Sequence, residues 1–188
     1  MSTAAARPSS HVEPSGALAT ARHYIRELIY GANDGVITTF AVVAGVAGGG
    51  LHTTTVLVIG AANLVADGLS MGVGNYLSIR AHESVLAAQA LPGQEAFPVR
   101  HGLATFSAFI AAGFVPLAPY AIAWEPVNRF YASIVLTMLA LFTVGASRAM
   151  ISNTSWWRAG MEMFVLGGIV AAAAFASGAA VAALVGTQ

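Results

Sequence analysis

Apolar residues in this chain do not alternate with polar ones; they run in long blocks broken by short segments that carry arginine, glycine or proline. Crossing a bilayer takes about 20 mostly apolar residues to cover roughly 30 Å of hydrocarbon. Five blocks reach that length, near residues 27–49, 54–79, 101–123, 128–149 and 161–186. Each predicts a helix, because a helix satisfies its own backbone polar groups where water is absent. Residues 1–21 are rich in Ser, Pro and Ala without apolar periodicity, and read as a disordered tail rather than a cleaved signal sequence. Residues 22–188 then form one five-helix domain. Residues 80–100 are the longest internal connection, expected to begin as a helical extension that stops at Pro92-Gly93. No internal repeat marks an inverted-repeat carrier, so any twofold symmetry must come from a second copy.

Composition turns this pattern into a class. The 188 residues are 57% hydrophobic and only 9% charged, with mean hydropathy +0.73, whereas soluble domains carry about 25% charged residues. The expected fold is therefore all-α, a polytopic membrane protein. A net charge of zero gives no basic field for nucleic acid. The absence of cysteine removes disulfides, thiolate metal sites and thiol redox centres together. Lysine is absent while Ala, Gly and Arg abound, a bias typical of GC-rich bacterial genomes. Arg7, Arg22, Arg26, Arg80, Arg100, Arg148 and Arg158 fall on one side of the predicted topology and Arg129 alone on the other. Positive charge stays on the cytoplasmic side, so the N-terminus is expected there. Tyr24, Tyr30, Tyr120, Trp124, Trp156 and Trp157 fall near span ends, where amphipathic rings settle at the headgroups.

Two carboxylates interrupt the apolar blocks, Asp34 in the first and Asp67 in the second, and neither has an arginine or histidine one helical turn away. An ionisable group inside a membrane costs at least several kcal/mol and marks a functional site by default. In the second span Asn63, Asp67, Met71 and Asn75 recur every fourth residue and so share a face; Asp34 and Thr38 share one on the first. Plainer roles fit some of these residues. Asn33-Asp34-Gly35 matches a helix N-cap, and Asp67 matches a neutral acid hydrogen-bonded to a neighbouring helix. Met71 matches packing filler, and Gly68 and Gly72 match a close helix contact.

The stretches "RELIYGANDGVITTFAVVAGVAGG" and "AANLVADGLSMGVGNYLSIRAHES" resemble the first two helices of the vacuolar iron transporter family. The likeness continues in "HGLATFSAFIAAGFVPLAPYAI" and "SWWRAGMEMFVLGGIVAAAAF", and so covers roughly residues 22–186. The resemblance implies a five-helix subunit that dimerises around a pore and exchanges cytosolic Fe²⁺ or Mn²⁺ for protons, with no resident cofactor. It implies that Asp34 and Met71 line that pore. The membrane would be the plasma membrane in a bacterium and a vacuolar or other endomembrane in a eukaryote.

The chemistry of those side chains is consistent with that role. A carboxylate suits any divalent cation, while a thioether is too soft for Mg²⁺ or Ca²⁺, so the pair leans toward Fe²⁺ or Mn²⁺. Metal and proton compete for the same oxygens, which is the minimal requirement for antiport. Asp67 is a candidate second carrier, and Asn63 and Asn75 are candidate neutral oxygen donors. Plant members carry a long glutamate-rich insertion between the second and third spans. Here that segment holds only Glu83 and Glu95 as acids, beside His82 and the bordering His101, so metal collection there is expected to be reduced or absent. His82-Glu83 fits either a weak entry site, with Glu83 as ligand, or a solvated helix end. Glu162, between Met161 and Met163, fits either a metal-guiding trio or an interfacial acid near a helix N-terminus. An intramembrane enzyme is not expected: the spans hold no histidine pair and no cysteine. A passive cation channel or a non-transporting metal sensor is the alternative function.

Overall fold

The computed structural model describes residues 9–12, 14–122, 128–150 and 154–186. Every regular element among them is helical: α1 Ala17–His23, α2 Ile25–Gly48, α3 Thr53–Ala88, α4 Pro98–Ala121, α5 Arg129–Ser147 with a 3-10 turn Arg148–Met150, and α6 Trp156–Val185. The five helices α2 to α6 are long and apolar enough to cross a membrane, at the positions expected from the apolar blocks.

Local chemistry fixes the helix ends. Pro98 opens α4 in the first turn, where its missing N–H costs nothing. Asn128 caps α5, its side-chain oxygen accepting from the N–H groups of Phe130 at 3.0 Å and Tyr131 at 3.5 Å. Gly186 ends α6 in the left-handed conformation that glycine adopts without a Cβ clash. At 36 residues α3 is about 54 Å long. It therefore runs well past any one membrane crossing, and the expected extension is real: the helix continues to Ala88 before Pro92-Gly93.

The bundle is assembled on α2, which packs against α3, α4, α5 and α6. Its tightest seam is with α4. Along α2, Glu27, Gly31, Gly35 and Thr39 are buried at four-residue spacing, and along α4 so are His101, Gly102, Thr105, Phe109 and Gly113. The two stripes meet in register: Glu27 against His101, Gly31 against the Thr105 carbonyl, Gly35 against the Phe109 backbone, and Gly113 against Thr39. A Cβ on Gly31 or Gly35 would meet α4 backbone directly. Small residues allow this close approach, and between membrane helices van der Waals packing is the main cohesive force.

The second seam joins α3 to α4. Gly72 lies on Gly102 and Phe106, Gly68 on Phe106, Phe109 and Ile110, and Gly60 on Leu117, so the Gly68/Gly72 pair serves close helix contact. Phe40, Val43, Val56, Leu64, Phe109 and Leu117 fill the core between. Buried Ser133 on α5 donates its hydroxyl to the Pro116 carbonyl at 2.7 Å. Tyr120 departs from the expectation of an interfacial ring: it is 7% exposed and belongs to the core cluster, whereas Tyr30, Trp156 and Trp157 are exposed. Trp124 lies outside the described residues, as do residues 1–8 and 13 of the tail. Of the rest of that tail, Ala17–His23 is helical.

Gly35→Val is expected to destabilise the subunit by about 1–3 kcal/mol or prevent its folding, because added methyls must displace α4 backbone. Gly168→Ala, where a Cβ meets open space, should leave the thermal midpoint in detergent within about a degree of the parent's, since surface changes of this kind are worth about 0.5 kcal/mol or less.

Candidate metal path

Asp34 stands inside α2, more than two turns beyond its first residue, Ile25. The N-cap reading therefore does not hold: the carboxylate sits on a continuous helix and is half-buried. The Thr38 hydroxyl bonds back to the Asp34 carbonyl at 2.8 Å, so that hydroxyl is already committed. The seam places Asp34 beside the buried glycines Gly31 and Gly35, on the flank of the α4-facing stripe.

On α3 the four polar or sulfur-bearing positions do form one stripe. Asn63, Asp67, Met71 and Asn75 are all half-buried, bordering the buried row Gly60, Leu64, Gly68 and Gly72. On their other side runs an exposed row of small residues, Ala62, Ala66, Ser70, Gly74 and Ser78. Large exposed side chains, Val65, Leu69, Val73 and Leu77, occupy the remaining face. Asp67 and Asp34 stand, both half-buried, on helices that pack against each other, α3 and α2. Two carboxylates within mutual reach in a poorly solvated seam repel each other, and a cation or a shared proton between them relieves that repulsion.

The other candidates have definite places. Met71 packs against the core cluster. Asn75 donates its amide to Thr105 Oγ1 at 2.8 Å and more weakly to the His101 carbonyl at 3.4 Å, tying α3 to α4. Thr105 in turn donates to the same carbonyl at 3.0 Å. Asn63 is half-buried. Glu83 is not with this group: it lies about 24 Å along α3 from Asp67, and its carboxylate accepts the N–H groups of Gln94 at 2.8 Å and Glu95 at 2.9 Å. That contact folds the α3–α4 loop back onto α3. Glu162 faces Arg148 at 3.6 Å, and both line a cleft of about 680 Å³ with Arg26, Tyr30, Asn33 and Met163.

A profile described as the VIT family matches residues 25–96 and 84–179, most of the chain. This chain belongs to the VIT family. Among its relatives is "Vacuolar iron transporter 1" of Arabidopsis thaliana, 26% identical over 213 aligned positions that span 83% of this chain and 85% of the relative. The protein of the same name in Eucalyptus grandis is 25% identical over 221 positions, spanning 86% and 88% of the two chains. A shorter and denser match, 40% over 70 residues, covers 37% of this chain and 23% of "Vacuolar iron transporter" of Toxoplasma gondii. The family expected from the GANDG and DGLSMG segments is thus the family found.

Sequence reasoning missed Glu27 and most of what surrounds it. Glu27 is 2% exposed, its Oε1 lying 3.2 Å from His101 Nδ1 and 3.0 Å from the Arg26 guanidinium. His101 Nε2 reaches Glu95 Oε2 at 3.0 Å. This network knits the ends of α2 and α4 to the α3–α4 loop of this VIT-family bundle. An acid in the first turn of a span, opposite a histidine in the first turn of another, was the available signal.

Thr105→Val removes the nearer acceptor of the Asn75 amide, leaving the weaker bond to the His101 carbonyl, and should lower stability by about 0.5–1.5 kcal/mol, the net worth of one hydrogen bond. Thr105→Ser keeps the hydroxyl and should restore most of the loss; thermal unfolding of purified protein in detergent reads both.

Proposed function

We propose that this VIT-family chain carries Fe²⁺ or Mn²⁺ out of the cytosol in exchange for protons. The single observation that supports this most is the placing of one half-buried acid on each of two packed membrane helices, Asp34 on α2 and Asp67 on α3. Such a pair is costly unless an ion or a proton occupies it, and the two cannot occupy the same oxygens together. Met71, one turn from Asp67, adds a soft donor that disfavours Mg²⁺ and Ca²⁺. Asn63 and Asn75 supply neutral oxygens along the same stripe, and Glu83 stands at the loop end of α3, where it can meet ions only by loosening its grip on the loop.

A second copy of the chain completes the path in this reading. The polar stripe of α3 is only half covered within one subunit, and the exposed small-residue row beside it suits close packing of another membrane helix. The N-terminus lies in the cytosol by the arginine bias. The relatives named as vacuolar iron transporters support iron as cargo; manganese follows from the near identity of the two ions to an Asp and Met site. In a bacterial cell the membrane is the plasma membrane and the task detoxification; in a eukaryotic cell it is a vacuole or related endomembrane.

Sealed vesicles containing the purified protein should accumulate Fe²⁺ or Mn²⁺ against its gradient when only a pH difference is imposed. Asp34→Asn, Asp67→Asn and Met71→Ala should each slow that uptake about tenfold or more, within the range seen when a metal's ligand environment is altered, with unchanged elution on size exclusion. Uptake that follows only the metal's own gradient would identify a passive channel instead. Wild-type rates in the variants would remove these residues from the path.

A further inference from the structure

We propose that the N-terminal segment completes a second metal site, for a divalent first-row transition ion, with His11 Nδ1, His23 Nε2 and the Glu95 carboxylate as ligands. These three ligand atoms lie within 4.8 Å of one another. They come from three separate parts of the chain, and each part is held in place by contacts of its own. The segment bearing His11 is tied to the α3–α4 loop through Ser10, whose N–H and hydroxyl both donate to the Gly93 carbonyl, at 2.8 Å and 3.0 Å. His23 ends α1, its ring edge-on to His11 at 5.7 Å between centroids. Glu95 is fixed by its own N–H on the Glu83 carboxylate at 2.9 Å.

The geometry around Glu95 fits an ion better than it fits a closed set of hydrogen bonds. Glu95 Oε2 lies 3.4 Å from His11 Nδ1 and 3.8 Å from His23 Nε2, both loose for direct bonding. His23 Nε2 is buried and makes no hydrogen bond. Among the described residues His101 is at full bonding distance, 3.0 Å, and its other nitrogen faces the buried carboxylate of Glu27. His101 and Glu27 therefore act as the supporting pair that orients the Glu95 ligand, the arrangement that metal sites commonly use. The His11 ring is shielded on another side by Phe97, at 5.8 Å between centroids.

Two imidazoles and one carboxylate, with positions left for water, suit Fe²⁺, Co²⁺, Ni²⁺ or Zn²⁺ and disfavour Mg²⁺ and Ca²⁺. This set differs from a glutamate cluster on a loop insertion, because its nitrogen ligands lie on the N-terminal segment and α1. Binding would pin residues 9–11 onto the loop, so that segment docking and metal occupancy rise together. The site lies outside the membrane-embedded stripe, and it stands whether or not Asp34 and Asp67 carry ions.

The test is a Co²⁺ titration of the full-length protein in detergent, read by visible absorption, which reports nitrogen ligation, and by metal count per subunit. The parent should lose one bound Co²⁺ per subunit on His11→Ala/His23→Ala, and Glu95→Gln should weaken the same site more than about tenfold. His52→Ala, with an imidazole at the N-terminal end of α3, should change nothing, and Asp34→Asn should keep the site while impairing transport. Circular dichroism and size exclusion on each variant separate ligand loss from unfolding. An unchanged count and affinity in the double variant overturns the proposal, and so does an equal loss in His52→Ala.

Discussion

The backbone-to-backbone contact of α2 with α4 positions every polar group that matters in this bundle. Hydrophobic burial contributes little between helices that are surrounded by lipid, so cohesion comes from how closely the surfaces approach. Gly31 and Gly35 bring α2 down onto the carbonyls of Thr105 and Phe109. The in-register run that results carries an acid against a histidine at one end, Glu27 with His101, and a hydroxyl against a glycine at the other, Thr39 with Gly113. With its glycines committed to α4, α2 can turn Asp34 only onto the flank of that seam, toward α3. Gly68 and Gly72 do the same for α3, seating it on α4 and leaving Asp67 on the adjoining flank. The two acids take their places on α2 and α3 because both helices are referenced to a third, α4.

Two half-buried acids on packed membrane helices set a requirement on whatever surrounds them. Lipid cannot supply the counter-charge or hydrogen bonds that two neighbouring acids need. The faces of α3 divide into a glycine row against α4, a half-buried polar row, an exposed small-residue row and a bulky aliphatic row. The aliphatic row is suited to lipid. The small-residue row lies exposed beside the polar row, and small residues allow the close helix packing that the proposed second copy would need. The same row would close the seam against hydrocarbon.

The five spans, their approximate ends and the α3 stripe were legible in the sequence, because each rests on composition or on a four-residue period within one helix. Asn75 could be placed on the stripe but not given its partner, since Thr105 lies on another helix and nothing local points to it. Tyr120 was misread as interfacial because nearness to a span end does not reveal which way a ring turns; here the core takes it. The Glu27, Glu95 and His101 network was signalled only by an acid and a histidine in the first turns of two spans, for a stronger reason. Its members are scattered from the first span to the third, and only the register between α2 and α4 brings them together. Glu83 shows the converse: its position at the end of α3 was plain, but its use by the loop N–H groups depends on how the chain turns after Ala88.

Asp34 lies about 10 Å along α2 from Glu27, so the carboxylate pair and the histidine-bearing end of the bundle are separate, and their donor chemistry differs for a reason. A path that conducts must hold its ion firmly enough to strip water and loosely enough to release it. Oxygen donors with a single thioether meet that demand for Fe²⁺ and Mn²⁺, the weaker-binding members of the first-row series. Imidazoles inside the path would raise affinity and slow release. At the end of the bundle, where the chain folds back and the N-terminal segment docks, tighter nitrogen ligation carries no such penalty. If both proposals hold, oxygen donors with one thioether within the spans and imidazoles outside them would answer the opposite needs of passage and capture.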